Sequence, residues 1–303
     1  LVDIYFARAN VLEEKNDFIK VCDYLKKANN INQDIYGSDY QKIQSKIKNL
    51  YKNWKENIND LNQSMNFPIP IFIVGIPRSG KTITESILAC NKKLIKCGEN
   101  QSLENAIKIF SRKKEISQNQ SLYDIYIENL GIELSNKSFI CTTTPMNLLY
   151  TDLLTSQISS AKIIFCYRNP LDNIKEIYKR NMGRKHTFTC SITESANIWI
   201  DVYLLMEKFK NTYKSKIYFL NYDNLVTNTK KEIKDLLFWL GWNSDYKYFT
   251  PNLDPTTIKN SNRLDSNKIN TNEISSWKNY RDLLHPAIEV FKNHEKFKYL
   301  IKE

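Results

Sequence analysis

The chain has no run of about 18 or more apolar residues, which excludes an obvious membrane-spanning helix. Its opening residues read as charged helix and not as a secretory leader. Only three histidines are present, and none neighbours a cysteine pair. The six cysteines (Cys22, Cys90, Cys97, Cys141, Cys166, Cys190) show no CxxC spacing, so neither a structural metal site nor a disulfide framework is expected. Cys141 and Cys166 sit inside apolar strand-like runs and read as small core residues of a cytoplasmic protein in a reducing compartment. Arginine is scarce too, with eight against 36 lysines. In a chain that spells surface charge with lysine, Arg78, Arg168 and Arg180 mark positions where a planar bidentate fork matters. The net charge of +11 is scattered, without the interleaving of aromatic and basic residues that a single-strand groove needs, so no nucleic-acid partner is expected. Leu1 is not an initiator methionine, and the chain is expected to be a piece of something longer.

At 303 residues there is enough chain to bury a sizeable core. Residues 1–62 read as a helical segment and 63–303 as an α/β domain. In the first, Tyr5, Ala9, Leu12, Phe18, Val21, Leu25 and Ala28, with a break at Asn16-Asp17, resemble one tetratricopeptide repeat, a unit that cannot bury its face alone. Such helices would offer a surface to a protein partner. Ile43, Ile47, Leu50 and Trp54 form one stripe of a third helix. From Phe67 the pattern alternates. Strands are expected at 70–75, 94–97, 138–141, 162–167 and 216–221. Helices are expected near 81–90, 102–111, 121–133, 146–156, 170–182, 191–213, 229–240 and 283–293. Short apolar strands separated by amphipathic helices imply a parallel sheet covered on both faces, with the ligand beyond the carboxyl ends of its strands. Residues 243–282, rich in Asn, Ser, Thr and Pro, read as a long loop of the kind that in a compact domain is functional or disordered.

The strand Pro70-Ile-Phe-Ile-Val74 runs directly into Gly75-Ile-Pro-Arg-Ser-Gly-Lys-Thr82. A strand ending in a glycine-rich turn before a helix presents backbone N–H groups and the positive helix end to an anion. Ser79, Gly80, Lys81 and Thr82 supply donors and close approach, and Arg78 supplies fixed charge. The spelling satisfies GxxxxGK[ST], the nucleoside-triphosphate pattern. A triphosphate-hydrolysing enzyme also wants an aspartate at a neighbouring strand end to hold magnesium. The strand Ala161 to Tyr167 ends instead in Arg168-Asn-Pro-Leu-Asp172, followed by a helix carrying Arg180, and Asp223 is the one weak magnesium candidate.

Taken together, these segments resemble sulfotransferases that use 3′-phosphoadenosine-5′-phosphosulfate (PAPS), in the branch of the tetratricopeptide-repeat and protein-tyrosine sulfotransferases. The resemblance covers residues 68–292. It rests on Pro77-Arg-Ser-Gly80, Cys97-Gly-Glu99, Cys141 to Pro145, Arg168 through Arg180, Tyr222-Asp-Asn-Leu-Val226, Trp239-Leu-Gly-Trp242 and Trp277-Lys-Asn-Tyr280, in the family's order. It implies a P-loop NTPase-like three-layer α/β/α fold with a central parallel sheet, and no metal. Arg78 to Thr82 would hold the 5′-phosphosulfate, Arg168 and Arg180 the 3′-phosphate, and Tyr222 the nucleoside. Ser261 would start a segment closing over the co-substrate. Glu99 matches the general base, with Lys81 and Arg78 acting on the reacting group; the plainer reading of Glu99 as an exposed loop carboxylate stands beside it. A carboxylate of about 4.3 cannot ionise a phenol of about 10 in advance, so such a base takes the proton as the bond to sulfur forms.

Three positions depart from the family. Glu176 stands where a serine meets the 3′-phosphate, and a carboxylate beside a phosphate is repulsive. Thr143 stands where the resemblance implies a lysine on the reacting sulfate, which removes a transition-state donor; Lys81, where the family usually has threonine, could reach the same oxygens. Residues Ser266 to Lys268 reword a basic stretch. The expected activity is sulfuryl transfer to a hydroxyl of a glycan, peptide or small molecule. Two alternatives stay open: a magnesium-dependent P-loop kinase or NTPase, and a nucleotide-binding interaction module with weakened chemistry. His186 and Lys185, after the arginine helix, read as surface residues before an acceptor role.

Overall fold

A computed structural model describes residues 1–53, 66–115, 120–134, 136–249 and 273–301. In chain order these form helices α1 (Val2–Glu14), α2 (Phe18–Tyr36) and α3 (Tyr40–Asn53), strand β1 (Ile69–Val74), helix α4 (Lys81–Leu88) and strand β2 (Leu94–Lys96). Next come α5 (Ser102–Glu115), α6 (Leu122–Leu130), β3 (Phe139–Thr142), α7 (Thr151–Gln157), β4 (Lys162–Tyr167) and α8 (Pro170–Tyr178). The last are α9 (Ile192–Thr212), β5 (Ile217–Asn221), α10 (Tyr222–Thr227), α11 (Thr229–Leu240) and α12 (Arg281–Lys292). The chain forms two compact units: Leu1–Trp54 with Arg168–Leu205 and Asn270–Glu303, and Lys55–Tyr167 with Met206–Ile269.

The second unit is built on the sheet, in strand order β2-β3-β1-β4-β5 with every pairing parallel. Its central strands are short and apolar on both faces, as burial between two helical layers requires: Ile71, Phe72, Ile73 and Val74 are all buried. On one face Ile71, Ile73, Cys141, Ile164, Cys166 and Leu220 pack against Ile87 and Leu88 of α4 and Ile233, Leu236 and Leu237 of α11. Each such side chain contributes about 1.5–3 kcal/mol by leaving water. On the other face Phe72 rests against Tyr126 of α6 at 5.5 Å. There too Phe165, Tyr167 and Phe219 cluster, with Lys210 of α9 over the Phe219 ring at 4.6 Å. Helices on both faces of a parallel sheet make the expected three-layer α/β/α arrangement.

The other unit is helical. Asn16, with φ of 58°, turns α1 towards α2, and the Asp17 carboxylate caps α2 by accepting the Lys20 N–H at 3.3 Å. Phe6 and Ala9 of α1 and Val21, Leu25 and Ala28 of α2 are buried, and α3 buries Ile43 and Ile47. Trp199 of α9 stacks on Tyr203 at 5.2 Å and meets Phe291 and Phe297 edge-on. No helix among the described residues is long and apolar enough to cross a membrane.

Two expectations need correction. The helix expected over 146–156 is a 3₁₀ helix, Pro145–Tyr150, followed by α7; the Asn147 N–H reaches the Thr144 carbonyl at 3.2 Å and tightens that first turn. The helix expected to carry Arg180 stops at Tyr178, so Arg180 lies beyond it. Polar contacts from distant sequence accompany that end: Asn32 of α2 donates to the Asn181 side chain at 3.0 Å, and Asn181 donates to Asp3 of α1 at 2.8 Å.

Candidate functional site

In the sheet unit, β1 ends at Val74 and the chain turns through 75–80 into α4. Gly75 has φ of 144°, and a Cβ there would lie 2.3 Å from the Cys166 carbonyl oxygen, so only glycine fits beside β4. Gly80, with φ of 99°, lies against Tyr222: a Cβ would meet that ring at 2.5 Å. The Tyr222 ring thus packs directly on the loop. Arg78 adopts a left-handed φ of 64°, a conformation that costs a side-chain-bearing residue about 1–3 kcal/mol and is met at ligand sites. Ser79 is fully buried, and its Oγ has no hydrogen-bond partner among the described residues. A buried hydroxyl without a partner, at the mouth of a helix whose first N–H groups have no intrahelical acceptor, is a ready ligand for an anion. Thr82 is exposed in the first turn of α4.

Lys81 lies folded inside this loop. It is 5 % exposed, and its Nζ donates to the Ile76 carbonyl at 3.1 Å. Burial pushes its pKa down to about 8, against the pull of the Glu99 carboxylate. Glu99 is exposed, on a segment knitted to the end of β3. The Cys97 N–H donates to the Cys141 carbonyl at 2.8 Å, the Thr143 N–H to the Gly98 carbonyl at 3.0 Å, and the Thr144 hydroxyl to the Asn100 carbonyl at 2.8 Å. From α4, Glu85 accepts the Gly98 N–H at 3.1 Å. Burial raises its pKa despite Lys96 and that N–H. Loop, Glu99 and Tyr222 are therefore brought together within one unit. The Glu85 tether was missed in the sequence, although its position four residues after Lys81 places it near the same helix face.

In the helical unit, Arg168 follows β4 directly in sequence and is 3 % exposed. Its Nη2 donates to the Glu273 carbonyl at 3.2 Å, and Nη1 lies 3.7 Å from the Glu273 carboxylate. Asn169 caps α8 by accepting the N–H groups of Leu171 and Asp172. Fully buried Asp172 accepts the Ser275 N–H at 2.7 Å and the Trp277 N–H at 2.8 Å, pinning the Trp277-Lys-Asn-Tyr280 motif to α8. Burial raises its pKa against the pull of Lys175, these N–H groups and Arg168.

Further along α8, Glu176 lies 3.1 Å from Lys175 and 3.8 Å from Lys179, and Lys179 reaches Glu13 of α1. Glu13 also accepts the Tyr280 hydroxyl at 2.7 Å. The alternation of acid and base at Asp172, Lys175, Glu176 and Lys179 was legible as spacing of three and four, yet only the fold shows it buried. Glu176, expected to repel a phosphate, shares Lys175 with Asp172 and Lys179 with Glu13. Arg180 lies two residues past α8. Ser261 and Ser266 to Lys268 fall outside the described residues. Asp223 follows β5 at the start of α10, and among the described residues no group of three or more His, Cys, Asp or Glu is placed to hold a metal. Lys185 is exposed and His186 half-buried, its ring against Phe188 at 6.2 Å.

A parallel sheet whose first strand turns through a glycine-bounded loop into a helix, with an unpartnered hydroxyl at that turn, is the arrangement in which α/β proteins present a helix N-terminus to an anion. A family model described as the sulfotransferase family matches residues 70–246, more than half of the chain. The chain belongs to that family. An uncharacterized protein of Aquifex aeolicus (strain VF5) is 23% identical over 319 residues, matching 97% of this chain and 42% of its own length. The chain thus spans about two fifths of that curated relative. Two solved structures share the fold. The sulfotransferase domain from the Synechococcus PCC 7002 olefin synthase is 16% identical, covering 80% of this chain and 98% of that one with a TM-score of 0.52. The sulfotransferase domain from the curacin biosynthetic pathway is 18% identical, covering 71% and 92% with a TM-score of 0.50.

Proposed function

We propose that the chain transfers a sulfuryl group from PAPS to a hydroxyl of a glycan, peptide or small molecule. The observation that carries the reading is the buried, unpartnered Ser79 hydroxyl at the mouth of α4. When bound, PAPS supplies an activated sulfuryl group whose leaving oxygen gathers negative charge during transfer. Arg78 to Thr82 fit its 5′ end: Ser79 and the first N–H groups of α4 donate, and Arg78 and Lys81 contribute positive charge that stabilises the leaving oxygen. Lys81 does so in its protonated form and has to leave the Ile76 carbonyl to reach the anion and stand in for the lysine absent at Thr143. Tyr222 fits the nucleoside, and Arg168 and Arg180 are assigned to the 3′-phosphate on the sequence resemblance. Glu99 is assigned the proton of the acceptor hydroxyl, received as the new bond forms. Its exposure suits a group that must meet an incoming acceptor, and the Glu85 tether through Gly98 fixes its segment.

The test is transfer of radiolabelled sulfate from PAPS over a panel of phenols, sterols, tyrosyl peptides and glycans. Label should appear in at least one acceptor class. Glu99→Ala should lower kcat about 100-fold or more, with binding of 3′,5′-adenosine bisphosphate retained. An unchanged kcat in Glu99→Ala would remove Glu99 from this role, and a blank panel with nucleotide binding intact would favour an interaction module.

A further inference from the structure

The geometry points to Glu273 as a specificity-determining residue that competes with the 3′-phosphate for Arg168; this rests on the assignment of Arg168 given above. The carboxylate lies 3.7 Å from Nη1 of a guanidinium whose side chain is 2 % exposed, while the Glu273 side chain is 22 % exposed. Arg168 is therefore already paired with a carboxylate that an incoming anion has to displace, and the carboxylate is partly open to water.

The backbone of Glu273 is held in place by the fold. Asp172 holds the Ser275 and Trp277 N–H groups, and the Ser276 hydroxyl donates to the Glu273 carbonyl at 2.7 Å. That same carbonyl accepts from Nη2 of Arg168 at 3.2 Å and sets the orientation of the guanidinium. Backbone and carboxylate thus play separate roles: the carbonyl aims the fork and the carboxylate neutralises it. At 3.7 Å the ion pair is longer than the roughly 2.7–2.9 Å of a charge-assisted bidentate bond. A phosphate, with more charge and matching geometry, can displace it, but binds more weakly than it would to an arginine without a resident anion. The donor and its bisphosphate product share the 3′-phosphate, so Glu273 weakens both and speeds departure of the product.

Titration calorimetry with 3′,5′-adenosine bisphosphate and with adenosine 5′-monophosphate tests this on the wild type, Glu273→Gln, Glu273→Ala, Arg168→Ala and the Arg168→Ala/Glu273→Gln double variant. Glutamine keeps the backbone contacts and nearly the shape. Glu273→Gln should tighten the bisphosphate about fivefold, the scale of one partly exposed ion pair, and leave the monophosphate unchanged. Glu273→Ala should do the same, and the gain should vanish in the double variant. If Arg168→Ala weakens the bisphosphate but Glu273→Gln leaves it unchanged or weaker, Glu273 is an organiser of Arg168 and the inference is overturned. If Arg168→Ala changes nothing, the assignment of Arg168 itself fails and the inference falls with it.

Discussion

Lys81 is the residue at which sequence and structure add most to each other. From the sequence it reads as the lysine of a triphosphate loop or as a substitute donor; only the fold shows its ammonium buried on the Ile76 carbonyl. Its folded pKa, about 8, lies below the ordinary value of 10.5, so the folded protein binds fewer protons than the unfolded chain between those values. Stability from this group accordingly rises with pH across that window and is absent below about 8. Anion binding favours the charged form and works in the opposite sense. Affinity for 3′,5′-adenosine bisphosphate should fall as pH rises from 7 to 9 in the wild type, and Lys81→Thr should flatten that slope. A slope that persists in the variant would place the titrating group elsewhere. Gly75 offers a second residue-scale test. The Cβ of Gly75→Ala would lie 2.3 Å from a backbone oxygen of β4 that has no room to withdraw. The variant should lose about 3 kcal/mol or more of stability in urea unfolding.

At the scale of elements, strands were the most legible. Each of the five lies within a residue or two of its expected bounds, because apolar runs closed by polar turns leave a buried parallel strand few other places to end. Helix ends were less legible. The end of α8 is accompanied by contacts from Asp3 and Asn32, far away in sequence, and no local signal spells them. The ion chain along α8 has the same character: its spacing is local, but its last partner, Glu13, comes from α1. Burial pushes the Glu13 carboxyl up, yet the Lys179 charge and hydrogen bonds from Lys179 and Tyr280 hold it below its ordinary 4.5. A depressed carboxylate stabilises the fold above 4.5 and loses that contribution as pH falls through its folded value. Glu13→Ala removes the partner of the Lys179 ammonium and the Tyr280 hydroxyl and should therefore cost about 1–3 kcal/mol in urea unfolding at pH 7. The gap to the wild type should narrow at pH 3, and equal losses at both values would show that packing and not charge accounts for the cost.

For the whole molecule, the sequence motifs identified a family that the match over 70–246 establishes. The lysine-rich charge of +11 said much less, since it is scattered. What sequence could not supply was the surroundings of the motif residues: Lys81 buried, Glu176 sharing two lysines with Asp172 and Glu13, Arg168 already facing a carboxylate. These follow from burial and distance, which no spacing encodes. On the function proposed above, the loop between β1 and α4 serves a phosphosulfate donor and not a triphosphate. Calorimetric titration of the full chain with 3′,5′-adenosine bisphosphate, in parallel with magnesium-ATP, tests it most directly. Saturation by the bisphosphate at micromolar concentration, weakened at least about tenfold by Arg168→Ala, is the predicted result. Binding of magnesium-ATP with no bisphosphate binding at high micromolar concentration would contradict it.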